Sequence, residues 1–261
     1  MTVREVIEPI EQFAPLALQE SYDNAGLVVG RMSQEVTGVL LAVDVTDEVL
    51  QEAEELGCNL IITHHPIIFH PLKRFNSEGY VQRAVEYAIR KEIALYACHT
   101  NLDSAPNGMS WRLASMLGLK SLVVLEPKQG AEQLGFGVVG ELDSECDTME
   151  FLHFVKQRLG VGAIRHSEIA TPTVKRIALC TGSGASLMES ARGAGAEIYI
   201  TADLKYNDFM TPDREFTVAD VGHFESEYCA IDILFDVLSK KMFTFAVHKS
   251  VNSCNPIHYL V

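Results

Sequence analysis

Imidazole and carboxylate side chains follow several apolar runs in this 261-residue chain. The run LIIT ends in two adjacent histidines, His64 and His65, and ALYAC leads into the segment HTNLD. FTVADVG leads into a histidine with a glutamate four residues further on, and GVLLAV ends in an aspartate. Imidazole and carboxylate are the ligand types that proteins use for zinc, iron and manganese. The pattern therefore predicts a metal site, drawn from His64, His65, His99, Asp103, His223 and Glu227, with Asp44 nearby.

The spacing of the carboxylates indicates more than one metal ion. His223 and Glu227 stand at positions i and i+4, which share one face if a helix begins near residue 223. A carboxylate can bridge two metals through its two oxygens, whereas a neutral imidazole cannot. Asp103 and Glu227 would then be shared, and three histidines would be terminal ligands. Two ions about 3.5–4 Å apart leave positions open for water or substrate.

The adjacent histidines need a geometric explanation, because side chains alternate sides along a strand. A turn imposed by Pro66 at the strand end would let His64 and His65 approach different ions of the pair. A single histidine at a strand end is more often a structural residue. The His-His pair, the H-T-x-x-D run and the H-x-x-x-E pair, each at a predicted strand end, together favour metal binding.

Alternating strand-like and helix-like segments predict the elements that position these side chains. Strand, helix, strand with apolar strands is typical of an α/β fold with mostly parallel sheets flanked by helices. The polar segment LEPKQGAEQ, residues 125–133, is the predicted boundary between two α/β lobes. The first domain would comprise residues 1–125 plus 217–261 and carry the metal ligands, and residues 126–216 would form the second lobe.

The composition limits the classes of partner and compartment. The formal net charge of −14 argues against a nucleic-acid surface over the whole protein, although a local basic patch could still exist. The six cysteines form no C-x-x-C pair, which favours reduced thiols over a disulfide scaffold. The sequence has no apolar signal-peptide core and no run of about 18 apolar residues. We therefore expect a cytoplasmic protein that does not associate with membranes.

Five segments together resemble one known family. SYDNAGLVVG, ITHHPIIF, HTNLDSAPNG, EIYITADLKY and DVGHFESE occur in the order found in the dinuclear-metal-centre, ring-forming family known as GTP cyclohydrolase 1 type 2 homologues. The resemblance implies two divalent ions per chain, of zinc, iron or manganese. It implies that Asp103 is a bridging ligand and that the full ligand set is His64, His65, Asp103, His223 and Glu227.

The resemblance also carries expectations about assembly. It implies a homohexamer, a ring built from dimers with the metal sites facing inward. At 261 residues, this chain should lack the mid-chain domain of the longer members. Where many relatives have a histidine after the KY of ITADLKY, this chain has Asn207, so any role of that histidine does not transfer.

Other polar positions have two interpretations each. Asp44, His99 and Asn24 are candidates for contacts to the metal ligands or to substrate; Asp44 could instead cap the following segment. The YDNAGL segment, with Asp23 and Asn24, would be a polar loop at the rim of the site or a simple turn. The segment CTGSGAS, residues 180–186, would be an anion-binding loop or a tight turn with a helix cap.

Two classes of function fit the sequence. The first is a metal-dependent hydrolase, with no catalytic residue assigned beyond a metal-bound water. Its substrate would be GTP, as the family label implies, or another small anionic phosphoester. The chain contains no Asn-Lys-x-Asp string for guanine recognition. The alternative is a non-catalytic metal-binding ring that interacts with another macromolecule.

Overall fold

The computed structural model describes residues 1–210, 212, 214–241 and 246–260. The first part of the chain forms α1 (Val3–Phe13), β1 (Gly26–Val29), β2 (Val39–Ala42), α2 (Asp47–Glu55), β3 (Leu60–Thr63), α3 (Tyr80–Arg90), β4 (Ala94–Ala97) and α4 (Thr100–Ser104). The remainder forms α5 (Met109–Met116), β5 (Lys120–Lys128), β6 (Ala131–Asp147), α6 (Thr148–Leu159), β7 (Arg165–His166), β8 (Thr173–Ser183), α7 (Met188–Gly193), β9 (Ile198–Ala202), β10 (Thr217–Asp220), α8 (His223–Glu227), α9 (Cys229–Ser239) and β11 (Val247–Lys249).

The first compact unit comprises Met1–Ser104 and Ala230–Cys254. Its sheet has the strand order β1-β4-β3-β2-β11, in which β4, β3, β2 and β11 run parallel and β1 pairs antiparallel at the edge. Every residue of β2, β3 and β4 is buried. Such continuous apolar strands are typical of a parallel sheet whose two faces are both covered. The carboxyl ends of these three strands therefore lie at one edge of the sheet.

The second compact unit comprises Ala105–Cys229 and Asn255–Val261. Its sheet has the order β5-β6-β8-β9-β10-β7. The central strands β8, β9 and β10 are parallel, whereas the pairs β5–β6, β6–β8 and β10–β7 are antiparallel. The α/β class with two sheets flanked by helices is thus confirmed, and this second sheet is mixed rather than mostly parallel.

The compact units have different limits from the predicted domains 1–125 plus 217–261 and 126–216. The polar segment at residues 125–133 is part of a hairpin, because β5 and β6 pair on either side of a turn there. Near residue 217 the chain adds β10 beside β9 in the second sheet. His223 and Glu227 therefore belong to the second compact unit and not to the unit of His64.

Short helices are capped by local side chains. Thr2 and Glu5 form a capping box at the start of α1, which begins before Pro9 and continues through it. Thr46 caps α2 by accepting a hydrogen bond from the Val49 N–H.

Among the residues that the structure describes, no helix combines the length and apolar character needed to cross a membrane.

Candidate metal centre

The two adjacent histidines lie directly after β3, where the strand pattern stops. The His65 N–H donates to the Val43 carbonyl at 3.0 Å, and the Thr63 hydroxyl donates to the His65 carbonyl at 2.7 Å. These bonds turn the chain, so the two rings lie on the same side with centroids 4.9 Å apart. His64 is fully buried and His65 is half-buried. The turn at this strand end thus brings together side chains that a regular strand would separate.

The hydrogen bonds of His64 identify which ring nitrogen can bind a metal. Its Nδ1 lies 2.8 Å from the Cys98 carbonyl oxygen, which can only accept, so Nδ1 carries the hydrogen. The Nε2 atom then has a lone pair, and it lies 3.8 Å from Oδ1 of Asp103. Both facing atoms are acceptors when the imidazole is neutral and the carboxylate is ionised. A cation between them would interact favourably with both, so these residues fit a metal.

His65 is oriented in a similar way by a carboxylate. Its Nδ1 lies 2.8 Å from Oδ1 of Asp44, which follows β2 at the same edge of the sheet. Because an ionised carboxylate only accepts, His65 donates through Nδ1 and presents Nε2 as the potential ligand atom. Thr46 already caps α2. The structure therefore places Asp44 as the partner of a histidine rather than as a helix cap.

Asp23 orients a third imidazole, that of His99. Its carboxylate is buried and accepts from His99 Nδ1 at 2.8 Å and from the Thr100 N–H at 3.0 Å, and it also accepts from the Thr100 hydroxyl. Burial alone would raise the pKa of Asp23, but the hydrogen bonds from His99 and Thr100 outweigh it and hold that pKa far below its ordinary value. Asp23 therefore fixes the orientation of the His99 ring and is more than a simple turn residue.

His99 lies within the group formed by the two earlier histidines. Its ring centroid is 5.3 Å from that of His64 and 5.5 Å from that of His65. One nitrogen from each of the three rings lies within 4.8 Å of the others, so the group could hold a metal ion. The sequence placed His99 among contacts to the ligands or substrate, and the structure brings its ring among the ligand candidates themselves. We call His64, His65 and His99 the histidine group.

The predicted pair His223 and Glu227 lies in the second unit, where α8 begins at His223 as expected. His223 Nε2 is 3.0 Å from Oε2 of Glu227, and its Nδ1 is 2.7 Å from Oδ2 of Asp203. Burial lowers the pKa of His223, but the hydrogen bonds and negative charges of Glu227 and Asp203 outweigh it and raise the pKa to about 9. An imidazole flanked by two carboxylates favours a bound cation. In the absence of a metal ion, that cation is a proton on the ring.

Sequence reasoning missed Asp203, although its position contains a signal. It follows β9 in the segment ITADLKY and has a left-handed backbone with φ of +57°, a conformation that Asp tolerates better than most residues. The next N–H, that of Leu204, donates to the Asp220 carboxylate at 2.9 Å, and Asp220 is also paired with Arg165. These contacts fix the turn that presents Asp203 to His223.

Gly182, in the segment CTGSGAS, makes room for the glutamate. A Cβ atom at this position would lie 2.1 Å from Oε1 of Glu227, and the backbone φ is +62°. The Gly182 N–H donates to the Ser226 hydroxyl at 2.9 Å. The segment continues into a 3-10 helix, Ala185–Leu187, and the six-residue α7. Residues 180–183 form the end of β8, whose pairing with β9 is irregular between Leu179 and Ser183, and Gly182 there allows close approach to α8.

Two polar positions from the sequence analysis remain, Asn24 and Asn207. The Asn24 side chain donates through Nδ2 to the Ile68 carbonyl at 2.7 Å, which ties together two loops near the histidine group. Asn207 is exposed in the 3-10 helix Tyr206–Phe209.

Comparison with known proteins agrees with the resemblance seen in the sequence. Residues 1–256 match the family model described as Duf34/NIF3 (NGG1p interacting factor 3). A Clostridium perfringens protein named GTP cyclohydrolase 1 type 2 homolog is 35% identical over 230 residues, 87% of each chain. A Streptococcus pneumoniae protein of the same name is 30% identical over the full length of both. The crystal structure of a Staphylococcus aureus hypothetical protein has a TM-score of 0.92 and 28% identity, covering 100% of this chain and 99% of that one. This chain therefore belongs to the Duf34/NIF3 family.

Proposed function

We propose that the chain binds two divalent metal ions through His64, His65, Asp103, His223 and Glu227, and that it is a metal-dependent hydrolase. The observation that carries the proposal is the shared orientation of the imidazoles. His64 donates through Nδ1 to a carbonyl, and His65 and His223 donate through Nδ1 to aspartates, so that each has Nε2 as its ligand atom. Metal-binding histidines are held in this way by a partner on the opposite nitrogen.

The chain's own residues would fix the ligand geometry. Asp44 and Asp203 hold the imidazoles of His65 and His223, and Asp103 supplies a carboxylate across from His64. When bound, divalent ions lower the pKa of a water molecule and polarise the substrate. Imidazole rings fixed by hydrogen bonds keep their positions while the substrate is converted to the transition state. Such preorganisation is the requirement for stabilising a transition state electrostatically.

The substrate class follows from the relatives only as a proposal. Two relatives described above are named GTP cyclohydrolase 1 type 2 homolog. A nucleotide or another small phosphoester suits the site, because metal ions would provide the positive charge that a chain of net charge −14 otherwise lacks. We propose hydrolysis of such an anionic substrate, with GTP as the first compound to test.

The test combines metal analysis with turnover. The purified protein is stripped with chelator, reloaded separately with zinc, manganese and iron(II), and analysed by elemental mass spectrometry. Each form is then assayed on GTP and a panel of phosphoesters. The parent should hold two ions per chain and show turnover that His64→Ala lacks. His153→Ala, which changes an exposed histidine of α6, is the matched control. Turnover no greater than that of the His64→Ala variant in every metal form would contradict the hydrolase.

A non-catalytic metal-binding scaffold is the second proposal. The aspartates Asp23, Asp44 and Asp203 each serve as partners of a histidine, which leaves them committed to orientation rather than to proton transfer. The description of the family, as an interacting factor, also fits a partner protein. Full metal content without turnover, together with metal-dependent recovery of one specific partner, would favour this function. We further propose a homohexamer, which light scattering of the purified protein would test.

A further inference from the structure

Two aromatic side chains lie exposed beside the histidine group. Tyr22 is 65% exposed and Phe69 is 40% exposed, and their ring centroids are 6.5 Å apart with an interplanar angle of 57°. Rings of this size usually bury a large apolar area in a core or an interface. The exposed pair is therefore a candidate surface for contact with another molecule.

The pair is continuous with the candidate metal ligands. The Phe69 ring lies 6.0 Å from the His99 ring, in an edge-on arrangement at 83°. His99 in turn contacts both other members of the histidine group. On its other side, Phe69 meets the His70 ring at 5.1 Å. A molecule bound to an ion at His64 and His65 would therefore lie close to these rings.

The loops that carry the two rings are tied to each other and to the histidine group. Asn24 donates to the Ile68 carbonyl, next in sequence to Phe69, and Asp23 holds His99. Both bonds involve the two residues after Tyr22: Asn24 donates one and Asp23 accepts the other. The segment YDN therefore holds the aromatic pair at a defined distance from the imidazoles. An exposed surface that served only solubility would not require such a fixed distance.

We propose that Tyr22 and Phe69 form a stacking platform for a planar aromatic ring of the substrate. This inference rests on the proposed function and narrows it: the substrate is an aromatic phosphoester, such as a nucleotide, and not an aliphatic one. Stacking on aromatic side chains recognises any nucleobase, because every base has a π-face. It therefore requires no guanine-specific sequence motif, in agreement with the absence of an Asn-Lys-x-Asp string in this chain.

The experiment compares two ligands that differ only in the base. Guanosine 5′-monophosphate and ribose 5-phosphate are titrated calorimetrically into the metal-loaded protein, and metal content is measured on the same samples. The parent should bind the nucleotide more tightly than the sugar phosphate. Phe69→Leu and Tyr22→Leu should each weaken nucleotide binding at least about fivefold, in line with stacking energies measured by substitution. Both should leave sugar-phosphate binding and metal content unchanged, and Tyr22→Phe should retain parental nucleotide binding.

Phe75→Leu is the matched control, because Phe75 is 63% exposed in the same connection between β3 and α3. Equal affinity of the parent for the two ligands, at full metal content, would overturn the platform and leave the metal proposal standing. A parent that binds no metal would overturn both. A Phe69→Leu variant with altered oligomer mass and unaltered nucleotide affinity would also overturn the platform, since the rings would then be covered by another copy of the chain.

Discussion

His64 Nε2 and Asp103 Oδ1 face each other at 3.8 Å, beyond the carboxyl end of β3. The hydrogen bond from Nδ1 to the Cys98 carbonyl leaves Nε2 as an acceptor, and the aspartate oxygen is an acceptor as well. Two buried acceptors face each other favourably only when a proton or a metal ion lies between them. Replacing the Asp103 carboxylate by an amide therefore tests whether the pair binds metal.

Asp103→Asn should separate metal binding from folding. The amide has nearly the same size, and its N–H can donate to His64 Nε2, so the metal-free variant should unfold at no lower temperature than the metal-free parent. Metal at one hundred times its Kd should stabilise the parent by about 2.7 kcal/mol. Thermal unfolding with and without zinc should show that the variant loses most of this gain. Asp143→Asn, at an exposed aspartate paired with Lys120, serves as the control and should keep the gain. An unaltered zinc response in Asp103→Asn would contradict the assignment.

Glu227→Gln tests whether this carboxylate is shared by two ions. Gln keeps the size and one acceptor oxygen but removes the negative charge that would hold two cations together. We expect the fold and the oligomer mass to persist while metal content falls clearly below two ions per chain. Elemental analysis and light scattering measure both quantities on one sample. If two ions per chain remain, Glu227 does not bridge, and the assignment of His64 and His65 is unaffected.

Gly182→Ala should disturb the glutamate through direct contact. The new methyl group would lie 2.1 Å from Oε1 of Glu227, in addition to the strain of an Ala at φ of +62°. Gly160→Ala is a close control for the strain alone, because Gly160 has φ of +67° and a methyl group added there would meet nothing within 4 Å. Both variants should be less stable by about 1 kcal/mol from backbone strain. Only Gly182→Ala should also lose metal, as measured by elemental analysis, and equal metal content in the two variants would refute the contact.

Metal binding should release a proton from His223. The pKa of this imidazole in the metal-free protein is raised to about 9, so the ring is protonated at pH 7.5 and a metal must displace that proton. Metal affinity should therefore rise with pH until about 9. The raised pKa stabilises the metal-free fold fully below the ordinary histidine pKa of about 6.5, and this contribution is lost as pH rises through 9.

Calorimetric zinc titrations in two buffers of different ionisation enthalpy would count the protons released at pH 7.5. His223→Gln should release about one proton fewer than the parent. The His153→Ala variant, which changes an exposed histidine, should release the parental number. Equal proton release from His223→Gln and the parent would show that His223 is not protonated before metal binds.

The sequence predicted the strand ends better than the hydrogen-bond partners of the candidate ligands. Buried strands such as β3 leave a clear signal, because an apolar run stops abruptly at His64. By contrast, Asp203 contacts His223 from a turn 20 residues away, and no fixed spacing relates the two. The limits of the compact units also differ from the predicted domains, since a polar segment that contains Pro and Gly can be a linker or the turn of a long hairpin. Both differences concern pairings between distant segments, which local composition does not encode.

The carboxylates behind the imidazoles have an electrochemical consequence. Asp44 and Asp203 accept hydrogen bonds from the proposed ligands His65 and His223, and a negative charge behind an imidazole makes its opposite nitrogen a stronger electron donor. Stronger donation stabilises the higher oxidation state of a redox-active ion. Iron held at these rings should therefore have a lower reduction potential than iron held by imidazoles that donate to backbone carbonyls, and the ferrous protein should oxidise readily in air.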